Sequence, residues 1–400
     1  MRVSSAFAVL FLSAAVGCSQ HTVSSPISAM PPAAIAAEAP RSAGFKLLYS
    51  FKGNPDGQNP YAGVVALKGT LYGTTELGGK YDFGVLYKLS TSGTEHVIHT
   101  FGNASITDGS DPYGALIVLN GALYGTTYYG GRAPADYGTV YKASTAGAEH
   151  IVCSFTSSEG VDPFAGVFAF NGTLYGANYQ GGKKNYGTVY GCSPSGKVRV
   201  LHSFTLSPDG AYPYSPPAAL GGALYGTTYQ GGTKDSSYGY GIVYKVTTSG
   251  AEHVLHKFTG YPNDGSYPYA GLHGDGNKLY GATAHGGTSN YGTVYEITAS
   301  GSEHVIYSFK GAPDAAAPEA APIVVNGVLY GTTPSGGQYN YGAVYKVTTT
   351  GKEQVLHSFT GGATDGSNPI GGLVNVNGEL YGTAFYGGKY GDGTVFKIAP

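Results

Sequence analysis

Short runs in which apolar and polar residues alternate, broken by Gly, Asn, Asp or Pro, fill the chain from Phe45 to Pro400. The runs are rich in β-branched and aromatic residues, which suit a pleated, half-buried surface. No convincing 3.6-residue stripe appears, so strands are expected throughout. The runs come in fours. One group reads 114–119, 123–127, 138–142 and 150–155, with Asn120-Gly121 between its first two runs. Asn-Gly recurs at Asn171-Gly172, Asn326-Gly327 and Asn377-Gly378. Both residues of that pair tolerate positive φ, so each predicts a tight hairpin.

The grouping repeats along the chain. Leu-Tyr-Gly begins at Leu71, Leu123, Leu174, Leu224, Leu279, Leu329 and Leu380, each time followed by a double glycine such as Gly78-Gly79 or Gly387-Gly388. Four antiparallel strands recurring about every fifty residues is the pattern of propeller blades. Two features favour a ring over an open solenoid. Third runs carry bulk on both faces, as at Val140 and Tyr141 or Val294 and Tyr295, which blades packed between neighbours require. Fourth runs end at Phe101, Phe155, Phe204, Phe258, Phe309 and Phe359, while the seventh group stops after its third, Gly393 to Lys397. The missing run stands at the other end, Phe45 to Phe51. Pairing 45–51 with 394–398 leaves no open edge. The expected fold is all-β: a seven-bladed β-propeller of four-stranded antiparallel blades over 45–400, its last blade completed by the N-terminal strand. First strands should be innermost, where Gly63, Gly114, Gly166 and Gly271 suit the crowding. Phe168 and Phe170 make the third unit's inner strand bulky, and Pro216-Pro217 fits only at a strand start.

Ahead of the repeats, Met1-Arg2 and the apolar run Ala6–Val16 read as an export signal over 1–17. Ala15-Val16-Gly17-Cys18 resembles a lipoprotein-processing box, which makes Cys18 the expected lipidation site. Residues 18–44, dominated by Ser, Ala and Pro, read as a tether. The expected location is exported: an outer-membrane or cell-surface lipoprotein, or a secreted protein.

Only 12% of residues are charged and formal net charge is -2. Nothing favours nucleic acid, and a membrane is expected only through the lipid anchor. A monomer is expected.

In such a blade the strand 2–3 loop shares a face with the link to the next blade, and both are longer here than the opposite hairpins. The loop ends in an aromatic–Gly pair (Phe83, Tyr137, Tyr186, Tyr240, Tyr291, Tyr341, with Asp392 as the exception); the link reads Asp-Gly-x-x-Pro, as in Asp56 to Pro60. Binding residues favour loops on a rigid scaffold. The candidate binding set is Tyr61, Tyr113, Phe164, Tyr214 and Tyr269, after the link prolines, with Tyr128, Tyr129, Tyr179 and Tyr229, after strand two. Any one of these rings is more simply blade-to-blade packing, and each link Asp a cap on its own turn. Breaks in the repeat are better places for a site: the insertion 233–238, the loop Arg132-Ala133-Pro134, Glu76 with Asp82, and Lys389 with Asp392.

Histidines recur on strand four, at His96, His99, His150, His202, His253, His256, His304 and His357. They read as structural, since equivalents are separated by whole sheets. No metal site or cofactor is expected. Glu95, Glu149, Glu252, Glu303 and Glu353 read as solvated surface residues. Cys153 and Cys192 are a candidate disulfide between adjacent blades, or else two buried thiols. No Gly-x-Ser-x-Gly elbow, His-Glu-x-x-His or phosphate loop is present, and no residue is assigned a catalytic role.

The unit Asn-Gly-x-Leu-Tyr-Gly-Thr-Thr, then Gly-Gly, then Tyr-Gly-Thr-Val-Tyr-Lys and Val-Leu-His-Ser-Phe resembles the bacterial GloVer-type tandem repeat over 45–400, and is distantly similar to kelch blades without their Trp. The GloVer resemblance implies an exported repeat protein with varied envelope anchors and brings no catalytic residues. The preferred function is a binding or scaffold module for surface glycan or protein. The alternative is an extracellular carbohydrate-active or other hydrolytic enzyme with its site at the long-loop mouth of the channel.

Overall fold

A computed structural model describes residues 44–102, 108–131, 136–233 and 238–400. The signal, Cys18, most of the tether, Arg132-Ala133-Pro134 and most of the 233–238 insertion lie outside the described residues.

Seven four-stranded antiparallel sheets form a β-propeller. The first blade comprises Val65–Leu67, Thr70–Thr75, Val85–Ser90 and Glu95–Thr100. The last comprises Val374–Val376, Glu379–Ala384 and Thr394–Ile398 from the C-terminal end, with Lys46–Ser50 paired outside them. Lys46 faces Lys397 and Ser50 faces Thr394, so one sheet holds both ends of the ring. First strands are shorter than the sequence suggests: the second blade's is Ile117–Leu119, not 114–119. Near the axis the chains approach too closely for a longer ladder; a Cβ on Gly63 would sit 2.1 Å from the carbonyl oxygen of Gly372.

One cross-strand pair repeats in every blade. The glycine of Leu-Tyr-Gly faces the third strand's aromatic residue, as Gly73 faces Tyr87 and Gly382 faces Phe396. A Cβ on Gly73 would lie 2.4 Å from the Tyr87 hydroxyl oxygen, so the ring occupies the space that glycine leaves. The same ring meets the terminal Phe of the preceding blade edge-on. Phe101–Tyr141, Phe204–Tyr244 and Phe309–Tyr345 are 5.2, 5.2 and 5.0 Å apart. Phe51, delivered by the N-terminal strand, makes this contact with Tyr87 at 5.1 Å and so joins the last blade to the first. Cys153 and Cys192 are joined by a disulfide between the second and third blades.

A one-residue bulge in every fourth strand, for example between the pairs Leu86–His99 and Tyr87–Val97, re-aims the side chain that follows it. His96, His150, His253 and His304, ahead of the bulge, are exposed, whereas His99, His202, His256 and His357 turn towards the link Asp. His202 Nε2 lies 2.8 Å from Asp209 Oδ2, and His256 Nε2 lies 3.1 Å from Asp264 Oδ2. Tyr49 and Tyr307 donate to Asp56 and Asp314 in the same place. Each of these aspartates also accepts backbone N–H bonds of its own turn, as Asp56 does from Lys52 and Gly57.

Into five of these joints reaches a glutamate from the next blade, and here the sequence reading needs correction. Glu95, Glu149, Glu252, Glu303 and Glu353 are not solvated: in each, Oε1 is buried. Burial first, and the nearby Asp second, push Glu95 and Glu353 up to about 7. Glu149 and Glu303 also rise to about 7 through burial and a neighbouring Asp, with His99 and His256 opposing. The histidines likewise are not isolated from other ligating groups, because link and neighbouring blade converge on them. In the two joints without Glu, Phe45 stacks on His357 at 3.7 Å and the Cys153–Cys192 bond lies nearby in sequence to Val198.

Replacing Phe51 by Ala should cost about 3–5 kcal/mol, because the side chain is fully buried at the ring's junction. Phe83→Ala, on an exposed ring, should cost under about 0.5 kcal/mol. Urea unfolding distinguishes them, and equal losses would contradict the closure. The double change Cys153→Ser, Cys192→Ser should cost about 2–4 kcal/mol by the same assay.

The glutamates predict a pH dependence. Their folded pKa lies above the unfolded value, so the folded state holds extra protons between about pH 4.5 and 7, and stability falls as pH rises through that window. Asp209 and Asp264 are opposite: burial raises them, but the His hydrogen bonds prevail and hold them below the ordinary value, so their contribution is lost as pH falls below about 4. Thermal unfolding should therefore be latest near pH 4–5. Glu303→Gln should gain about 1 kcal/mol at pH 8, after allowance for partial exposure, and nothing at pH 4. An unchanged pH 8 melting temperature in that variant would refute the assignment.

Candidate binding face

Link and loop are tied together on one face. Gly57–Gln58 pairs with Leu77–Gly78, and four more blade entries repeat this small ladder; Val161–Gln180 and Ala211–Gln230 bridge the remaining two. The start of each glycine-rich loop is thus paired rather than irregular. Next in the link comes a residue at positive φ in every unit: Asn59, Asp111, Asp162, Tyr212, Tyr267, Ala317 and Asn368. The proline after it packs on the Gly of the preceding blade's aromatic–Gly pair, as Pro112 does on Gly84 and Pro60 on Gly393. This fixes where the next side chain points, over the mouth of the channel.

All nine candidate binding residues meet there in one continuous set of ring contacts. Tyr61 lies 5.3 Å from Tyr113 and 5.0 Å from Phe164. Tyr113 stacks on Phe164 at 4.7 Å, Phe164 meets Tyr214 at 5.3 Å, and Tyr214 meets Tyr269 at 4.8 Å. Tyr229 joins Tyr269 at 4.5 Å, Tyr179 joins Tyr214 at 4.8 Å, Tyr128 joins Tyr113 at 5.4 Å, and Tyr129 joins Tyr128 at 4.6 Å. Tyr129 alone of the nine is well exposed; the rest are half-buried against each other.

Two carboxyls interrupt this aromatic cluster. Glu319 follows Pro318 where five other units place an aromatic ring and the seventh places Ile370. Burial pushes it up to about 7, and its charge acts on Tyr61, Tyr229 and Tyr269, from the first, fourth and fifth units. Glu76 stands in the position of Tyr128 and accepts a 2.8 Å hydrogen bond from the Tyr113 hydroxyl. Burial raises it despite that bond. Asp111, beside it, is pushed up to about 7 by burial and by Glu76. Glu76 was legible as a break in the repeat; Glu319 was not singled out, although aligning the residues after the link prolines isolates it.

The outer part of the face is exposed. Among the described residues, the exposed large hydrophobic side chains are Phe83, Tyr129, Tyr238, Tyr240, Tyr261, Tyr291, Tyr339, Tyr386 and Tyr390. Every one stands in a link or a strand 2–3 loop, and none on the hairpin face.

Two groups could offer three ligand atoms to a cation: His99–Asp108–Glu149 and His256–Asp264–Glu303, each with its atoms within 4.8 Å. They belong to the inter-blade joints. Tyr49 and Tyr307 fill the histidine position in equivalent joints, so hydrogen bonding suffices to hold the geometry.

The fold recurs in solved structures. Puromycin hydrolase, in an S511A mutant complexed with PGG, matches 82% of this chain at 11% identity with a TM-score of 0.50; the chain spans only half of that enzyme's length. YCF48 from Cyanidioschyzon merolae matches 90% of this chain and 99% of its own at 10% identity, with a TM-score of 0.52. At such identities the likeness is one of fold. No curated protein matches the sequence. A Gloeobacter/Verrucomicrobia repeat model matches residues 34–237 and 233–400.

Proposed function

The chain belongs to the Gloeobacter/Verrucomicrobia repeat family, and from that premise we propose that it is an exported ring whose long-loop face binds glycan, as a binding or scaffold module at the cell envelope. The observation that carries this reading is that, among the described residues, the exposed large hydrophobic side chains are confined to that face, eight of them Tyr and one Phe. A tyrosine ring covers the C–H surface of a sugar while its hydroxyl bonds to the sugar's own hydroxyls. Exposed Leu, Ile or Met, which would favour an aliphatic partner surface, are absent from that set. Export is supported by the signal-like run before Cys18 and by the Cys153–Cys192 bond, which persists in oxidising compartments.

A second reading, hydrolysis, draws on Glu319 and Glu76, two carboxyls outside the repeat pattern that both act on Tyr61. A carboxyl protonated near neutrality is suited to general-acid work.

A glycan array probed with the full chain separates these outcomes. Binding to a restricted set of saccharides is expected, weakened at least about tenfold, about 1.4 kcal/mol, when Tyr261, Tyr291, Tyr339 and Tyr386 are changed together to Ala. A flat array response would remove the glycan reading. Release of reducing ends that Glu319→Gln abolishes, with binding retained, would replace it by the hydrolytic one.

A further inference from the structure

Tyr261 is the most exposed of the aromatic set at 62%, and it breaks the repeat. It precedes Pro262 where other links place Asn54, Ser207 or Ala312 before Pro55, Pro208 or Pro313. It stands at a cleft of about 330 Å³ between the fourth and fifth blades, lined by Tyr240, Tyr261, Ser266, Tyr267, His285 and Asn290. Tyr267 is the fixed wall. Its backbone is held at φ 58° and its N–H donates to the Tyr240 carbonyl. Its ring meets Tyr240 at 5.7 Å and His285 at 5.8 Å, both near perpendicular, and backs onto Tyr229 of the channel-mouth cluster at 5.0 Å. Ser266 is buried at 3% exposure, and Asn290 fixes the rim by accepting the Gly286 N–H at 2.9 Å.

We infer that this cleft is a subsite for one pyranose unit of a neutral glycan, with Tyr240 and Tyr261 covering the ring's C–H surface and Ser266, His285 and Asn290 supplying polar contacts to its hydroxyls. The inference rests on the glycan reading of the face and narrows it to one place. Three properties select the ligand class. The volume lies at the small-molecule end of binding pockets, too small for a folded partner. No Lys, Arg, Asp or Glu lines it, so nothing there would neutralise an ionic ligand. Its lining mixes aromatic faces with groups that both donate and accept hydrogen bonds, matching a polyhydroxylated ring.

Binding is read by isothermal titration calorimetry, because the 36 Tyr spread through the chain would swamp a fluorescence signal from the cleft. The full chain is titrated with methyl β-D-glucopyranoside, methyl β-D-galactopyranoside and methyl α-D-mannopyranoside. At least one should bind, with Tyr261→Ala and His285→Ala each weakening it about tenfold and Lys352→Ala, exposed on the opposite hairpin face, leaving it unchanged; melting temperatures check that all three variants fold. If the cleft variants bind as the unaltered protein does and joint replacement of Tyr291, Tyr339 and Tyr386 by Ala removes binding, the cleft assignment fails while the glycan reading stands. If the unaltered protein responds to none of the three, the one-unit subsite is wrong, and the array then decides whether the wider reading falls with it.

Discussion

Everything in this ring is positioned by one contact: an aromatic ring of the third strand laid over a glycine of the second and struck edge-on by the phenylalanine ending the blade before. The glycine is needed because a methyl group would collide with the ring. The phenylalanine is needed because the ring's other side faces the neighbouring sheet. Edge-on aromatic pairs add about 0.5–1.5 kcal/mol beyond the area they bury. Six of these third-strand aromatics are Tyr, whose buried hydroxyls have no hydrogen-bond partner among the described residues, and the seventh is Phe396. The hydroxyl is thus incidental to a position that requires the ring.

Around that repeated contact, the joints between blades tolerate exchange. Histidine or tyrosine holds the link aspartate; a buried glutamate closes five joints, a stacked phenylalanine another. This freedom exists because the aromatic contact sets the spacing and the polar groups need only satisfy one another. The long-loop face has still more freedom. Its backbone is fixed by the small ladders and by the residue at positive φ before each proline, while the side chains mounted there vary from Tyr to Glu to Ala.

The ring, its blade number and its closing strand were legible in the sequence because each rests on residues that recur at one spacing. Leu-Tyr-Gly and the terminal Phe mark strands, and a missing fourth strand at one end is matched by a spare one at the other. The polar joints were not legible. Glu303 lies two residues after a turn glycine and reads as surface; the bulge that sets His256, on the preceding blade, against the link Asp264 makes the joint in which its oxygen is buried. Neither the bulge nor the convergence leaves a periodic mark. Glu319 escaped notice for the opposite reason: it is a singular residue, and a search for repetition passes over it. The channel-mouth tyrosines were legible as a set, but their mutual packing depends on the seven-fold convergence of the links.

Closure by strand exchange also orders events in time. Lys46 finds its partner in Lys397, about 350 residues later, so this strand cannot pair until the propeller's last strand has been made. Until that pairing forms, Phe45 and Phe51 have no sheet to join and the last blade keeps an open edge. Contacts of such long range are slow to form and leave sticky edges exposed meanwhile. The ring closes only where Lys46–Ser50 meets Thr394–Ile398, so either strand's loss would open it at that one seam.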